Sequence, residues 1–166
     1  MNDKIGISGK LKIYAIVEHK DGTVDTYQGS NLITHEGDKY YAQKIAGAAT
    51  DFDTPGFRLG TDNTDPTKDD TDVIALLSGS EILISTQYPE VNNTDTHNPD
   101  GGENVVTWVI DYPEGQLNSD QIIEGAIVND KDNPTKAINR FLFTSTVTVT
   151  DTDSLTIYIN HELVGV

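Results

Sequence analysis

The sequence predicts a mainly β chain: one antiparallel β-sandwich or jelly-roll-like domain over residues 1–166, with a single short helix near residues 35–46. Three observations carry the prediction. Apolar and polar residues alternate through several runs, which is the period of a half-buried strand. Clusters of Asp, Asn, Gly and Pro separate those runs. Only the stretch after Thr34 has helical spacing. A chain of 166 residues is long enough for one core and short for two domains of ordinary size.

Residues 10–20 (KLKIYAIVEHK) place Leu11, Ile13, Ala15 and Val17 on one side, with Lys10, Lys12, Tyr14 and Glu18 largely on the other. Asp21-Gly22 can supply the positive φ angles of a tight hairpin turn, so residues 23–28 should pair back. The helix follows over 35–46, with Thr34 as N-cap, Tyr41 and Ile45 four apart, and Gly47 near its end. Residues 57–60 read as a short strand, 61–72 as a polar loop containing Pro66, and 73–77 fit either state. Residues 81–88 (EILISTQY) have strand composition, and 91–102 form a long loop. Both acidic loops, 61–72 and 91–102, are expected to be flexible.

Residues 104–112 form a strand with Val106, Trp108 and Ile110 on one face, and 121–128 form another, closed by a turn at 129–134. Two long strands, 135–150 and 154–163, should pair across the turn Asp151-Thr152-Asp153. Their alternating positions are Phe141, Phe143, Val147 and Val149, then Leu155, Ile157, Ile159 and His161.

The net charge of −16 is unevenly spread. Residues 1–50 carry six Lys and six acids, whereas residues 51–166 carry five Lys or Arg against 21 acids. Such a surface repels phosphate backbones and anionic lipid, so neither nucleic acid nor membrane is an expected partner. No window has the ~18 consecutive apolar residues of a membrane helix, and no secretion signal precedes the first strand. The absence of Cys excludes disulfides and thiolate chemistry.

Tests for chemistry return no catalytic residue, no cofactor and no metal. Ser78-Gly79-Ser80 is not the G-x-S-x-G turn of a hydrolase, and no glycine-rich phosphate cradle occurs. His19, His35, His97 and His161 stand singly, without zinc spacing. Asp62, Asn63, Asp65, Asp69, Asp70 and Asp72 gather oxygen ligands suited to calcium. However, Thr64 and Thr67 occupy the third and sixth positions of an EF-hand frame, so a solvated acidic loop is expected. Asp95, His97 and Asp100 read first as turn chemistry. The 27 acids are too many to single out a glycosidase pair. Trp108, with Tyr88, Tyr112 and Tyr158, has the makings of a sugar-stacking platform, although a strand Trp more often belongs to the core.

Two stretches carry a family resemblance. The first comprises Asn31-Leu32-Ile33-Thr34, Gly37, Ile45-Ala46-Gly47, the run from Phe57-Arg58-Leu59-Gly60-Thr61-Asp62 to Pro66-Thr67, and Asp70-Thr71. The second comprises Ile123-Glu124-Gly125-Ala126-Ile127-Val128-Asn129, Asn139-Arg140-Phe141 and Ser154-Leu155-Thr156-Ile157. Together they resemble tailed-bacteriophage virion structural proteins, with their NLIT lead into a helix, LGTG, TAPT and DT loop, GLFN strand end and R-x-F hairpin. Asp62 stands where that pattern often has Gly, and Ala126-Ile127-Val128 replaces Leu-Phe.

The resemblance implies a non-enzymatic virion protein, assembled in a host cytoplasm. It would be a trimeric capsid decoration or cement protein that binds the major capsid protein, or another virion protein, outside the head. A tail, fibre or baseplate component is the close alternative. A carbohydrate- or calcium-binding β-sandwich is a second. The charge division suggests Lys4, Lys10 and Lys12 as capsid-docking residues, with the acidic remainder facing solvent.

Overall fold

The computed structural model describes residues 5–6 and 12–165. Its strands are β1 (Ile5–Gly6), β2 (Lys12–Glu18), β3 (Val24–Ile33), β4 (Gly56–Gly60), β5 (Ile82–Leu83), β6 (Glu90–Val91), β7 (Val105–Tyr112), β8 (Ser119–Val128), β9 (Ala137–Val149), β10 (Ser154–Glu162) and β11 (Val164–Gly165). The helix α1 spans His35–Ile45. Strands β1 and β11 pair with each other, and the remaining nine form one antiparallel sheet in the order β5-β4-β8-β9-β3-β2-β10-β7-β6.

That sheet is curled into a half-barrel. Phe57 on β4 and Tyr112 on β7 lie six strands apart in the order, which would be ~29 Å across a flat sheet. Their ring centres are instead 6.4 Å apart. Period-two alternation accounts for the core inside the curl. Ile13, Ile159 and Trp108 form one cross-strand row, Ala15, Ile157 and Ile110 the next, and Val17, Leu155 and Tyr112 a third. All of them are buried in one cluster with Phe57, Ile127, Phe141 and Phe143.

Helix α1 closes one end of the curl. The Thr34 hydroxyl accepts the Gly37 N–H at 2.9 Å, and Glu36 and Asp38 in the first turn suit the positive end of the helix dipole. Gly37 is required by close packing, because a Cβ there would meet the Ile138 carbonyl oxygen at 2.0 Å. The buried face is Gly37, Tyr40 and Tyr41. Ile45, expected to share it, is left exposed at the helix end.

Three expectations need correction. Strands β9 and β10 do not pair: β9 lies between β8 and β3, β10 lies between β2 and β7, and the β2–β3 hairpin occupies the space between them. Residues 150–153 therefore cross the end of that hairpin, where Asp153 bonds His19. Secondly, the hairpin turn is a three-residue loop closed by His19 N to Thr23 O, and only Gly22 within it has positive φ (+83°). Thirdly, the 81–88 strand shrinks to Ile82–Leu83. Ile84 makes one more bond to Pro55 O, after which the chain leaves β4 to bridge the open seam to β6. No helix among the described residues is long and apolar enough to cross a membrane.

Candidate functional site

The outer face of the half-barrel is covered at both ends by the two acidic segments. Over β4, β8 and β9, residues 61–75 are held by a buried ion pair. Glu124 and Arg140 are both fully buried, with Arg140 Nε donating to Glu124 Oε2 at 2.8 Å. Arg140 also reaches Asp70 Oδ2 at 3.2 Å and the Thr64 carbonyl at 2.9 Å. Glu124 accepts the backbone N–H groups of Asp62, Ile74 and Ala75. A second pair, Arg58 with Asp72 at 3.0 Å, lies beside it, and burial pushes the Asp72 carboxyl up despite that cation. Val73 fills the space against Ala126, Val128 and Ala137.

Over β2, β10 and β7, the other segment lies on a cross-strand row of Tyr14, Tyr158 and Val109, with Ile16 beside it. Its attachments are mostly neutral. Asn160 exchanges amide bonds with Asn98 (2.7 and 3.0 Å) and accepts the Thr107 hydroxyl at 2.8 Å, while Asn98 also donates to Asn93 at 2.9 Å. At the tip, Asp100 accepts the Tyr14 hydroxyl and the Lys12 ammonium. Burial, reinforced by that carboxylate, raises the Tyr14 pKa to about 12. Burial opposes the Asp100 charge, but Tyr14 and Lys12 outweigh it and hold that carboxyl below its usual range.

These contacts locate the residues singled out from the sequence. Lys12 is exposed and ion-paired to Asp100 at 2.9 Å; Lys4 and Lys10 lie outside the described residues. Asp70 and Asp72 reach Arg140 and Arg58, whereas the Asp62 carboxylate caps the Thr64 amide in an exposed local turn. Among the described residues no group of three or more His, Asp or Glu side chains is placed to hold a metal ion. Trp108 and Tyr112 face the core whereas Tyr158 faces outward, so the four aromatics form no common platform.

The concave site lies at the open seam of the half-barrel. A cleft of about 610 Å³ opens between the last turn of α1 and the strap of residues 84–89 that joins β5 to β6. Its walls include Tyr40, Phe52, Ile84, Tyr88, Val106 and Trp108, and Ile45, Leu83 and Val91 stand at its rim. Beneath it Trp108 Nε1 donates to the Tyr41 hydroxyl at 3.1 Å, and that hydroxyl pairs with Nδ1 of His161. Burial pushes the His161 pKa down to about 3, so the imidazole is neutral, and its tautomer decides whether Nδ1 accepts the Tyr41 proton or donates to the Tyr41 oxygen. The floor is a fixed, uncharged network suited to binding by shape.

Sequence reasoning missed the cleft and the Arg140–Glu124 latch. The available signal for the latch was a lone Arg and a lone Glu inside otherwise apolar strands (INRFLF and IIEGAIV). No protein-family model matches the chain, and comparison with curated proteins and with solved structures gives no match.

Proposed function

We propose that the chain is a non-enzymatic structural protein of a tailed-phage virion, working as a trimeric decoration or cement protein on the outside of the head. In this reading the half-barrel is a sandwich-like scaffold whose two curled halves enclose one core. One observation carries the proposal: the polar members of the resembling elements meet in space. Arg140 of the R-x-F element bonds Thr64 and Asp70 of the loop element and Glu124 of the strand element, across as many as 76 positions of chain. A scaffold of this kind suits a particle coat. Its long antiparallel strands are cross-braced by loops tied down on the outer face, which resists shear without any disulfide.

The test is occupancy. Quantitative mass spectrometry of purified particles should find the chain at about one copy per capsid subunit, and stripped heads should rebind it. Particles that lack it, or heads that bind none, reject the decoration role; a few copies per particle assign it to a tail, fibre or baseplate instead. Charge reversal at Lys4, Lys10 and Lys12 should lower head binding, and unchanged occupancy would remove those lysines from the docking surface.

A further inference from the structure

One buried donor in the seam cleft has nothing to bond. Tyr40 is 3% exposed and lines the cleft, so the part of it that stays open faces the cavity. Its ring packs edge-on against Tyr41 and Phe52, with ring centres 5.1 and 5.5 Å apart, and lies tilted against Trp108 at 6.0 Å. Other buried tyrosines have partners: the Tyr41 hydroxyl bonds Trp108 and His161, and that of Tyr112 bonds the Ser80 carbonyl. The Tyr40 hydroxyl bonds no described residue. Nor is it walled in. Among the described residues, the fully enclosed side-chain polar atoms that lack a partner are Arg58 Nε and Asn139 Nδ2, so Tyr40 Oη keeps access to the cavity. Burial raises its pKa to about 12, so the oxygen retains its proton as a hydrogen-bond donor.

The lining specifies what would satisfy that donor. A volume of about 610 Å³ is that of a small-molecule site. The charged residues of the lining are Lys44 and Asp53, one of each sign, so the cavity selects no net charge. Its aliphatic hydroxyls, on Thr54, Ser85 and Thr86, belong to exposed residues that water already solvates. A sugar would press many hydroxyls against walls of Phe52, Ile84, Val106 and Trp108 and leave most of them unpaired. A flat ring with a single acceptor carries no such excess, and edge-to-face packing with the aromatic cluster suits it. We infer that the cleft binds an uncharged aromatic molecule carrying one hydrogen-bond acceptor, such as a carbonyl oxygen, which takes the Tyr40 O–H. The ring of that molecule lies between Phe52 and Trp108 on one side and Ile84 on the other. This binding needs neither Lys12 nor the Arg140 latch, and it is independent of any particle the chain serves.

The probe is acetylnaphthalene, a neutral aryl ketone, titrated into the full chain and followed through the N–H signals in NMR spectra. Saturable shifts are expected, centred on the Trp108 indole N–H and the amides of Ile84 and Val106. Tyr40→Phe removes a hydroxyl that bonds nothing in the protein, so it should not lower the midpoint of thermal unfolding. It should weaken ketone binding about threefold to tenfold, the worth of one hydrogen bond. Methylnaphthalene, which keeps the ring and lacks the acceptor, should bind wild type and variant alike. Naphthoate, which adds a charge, should bind more weakly than the ketone. Any one of four results overturns the proposal: no saturable binding by the wild type, shifts centred outside the cleft, a Tyr40→Phe loss that is absent for the ketone or equal for methylnaphthalene, or naphthoate binding as tight as that of the ketone. No particle enters this assay, so its failure is distinguishable from failure of the virion role.

Discussion

Residues 61–75 and 91–102 look alike as sequence, both being polar, acidic and rich in turn formers, and both cover the outer face of one curled sheet. Their fastenings differ in kind. The first is tied by buried charge, with Arg140 reaching three groups and Glu124 satisfying three backbone amides as well. The second is tied mainly by carboxamides and hydroxyls, with carboxylates at Asp95, which bonds the Tyr158 hydroxyl, and at Asp100, which bonds Tyr14 and Lys12. A buried charge is unforgiving when its partner is lost, whereas a neutral amide row fails one bond at a time. Similar loop compositions therefore conceal one brittle fastening and one graded one.

Removing a single charge from the brittle end should have the largest effect. Arg140→Met leaves the Glu124 carboxylate buried without its cation and should cost ~3–5 kcal/mol in urea unfolding. Hydrogen exchange should quicken first at the amides of Asp62, Ile74 and Ala75, which depend on that carboxylate. Adding Glu124→Gln should recover part of the loss, because the amide oxygen still accepts a backbone N–H without carrying charge. If Arg140→Met costs less than 1 kcal/mol, on the scale of exposed pairs, the ionic fastening is not what holds this loop.

The β content, the helix and the Thr34 cap were legible in the sequence because each rests on local rules: period two, helical spacing and one capping hydroxyl. The inward rows through Ile13, Trp108 and Ile157 followed from the same alternation. Strand neighbours were less legible. Residues 151–153 look like a hairpin turn, yet β2 and β3 lie between the strands they join, and no local signal records that insertion. The Arg140–Glu124 pair was unread for the same reason, since its loop partners are distant in the chain. In the cleft, Leu83 and Val91 belong to short edge strands and stay exposed, although strand composition over 81–88 suggested a longer run.

The graded end should respond more gently. Asn160→Ala removes the amide that links Asn98 to Thr107 and should cost ~1–3 kcal/mol, by leaving buried polar groups unpaired. The loss should be insensitive to salt, because no charge is involved. A cost as large as that of Arg140→Met would erase the distinction between the two fastenings.

A third fastening sharpens the comparison, because it is ionic but lies near the surface. His19 Nδ1 is 2.9 Å from Asp153 and Nε2 is 3.1 Å from Asp25, tying the β2–β3 hairpin to the crossing of residues 150–153. The bond to Asp153, then that to Asp25, raises the His19 pKa above 6.5. Burial works against the Asp153 charge, but the Thr150 backbone and His19 outweigh it and hold that carboxyl below its ordinary 3.8. A raised histidine pKa means that the folded state holds the proton more tightly than the unfolded chain does. The stabilisation is therefore complete below pH 6.5 and fades as pH climbs through the raised value. Acidification through the depressed pKa of Asp153 removes it from the other side. His161 works with the opposite sign: its lowered pKa costs stability as pH falls below 6.5. The informative quantity is therefore the difference between wild type and His19→Gln, in which the His161 contribution cancels. That difference should be greatest near pH 5, small because His19 is partly exposed, and should fade as pH rises through the raised His19 value. Thermal unfolding of the two proteins across this range measures it, and a gap that widens toward alkaline pH would reverse the assigned sign.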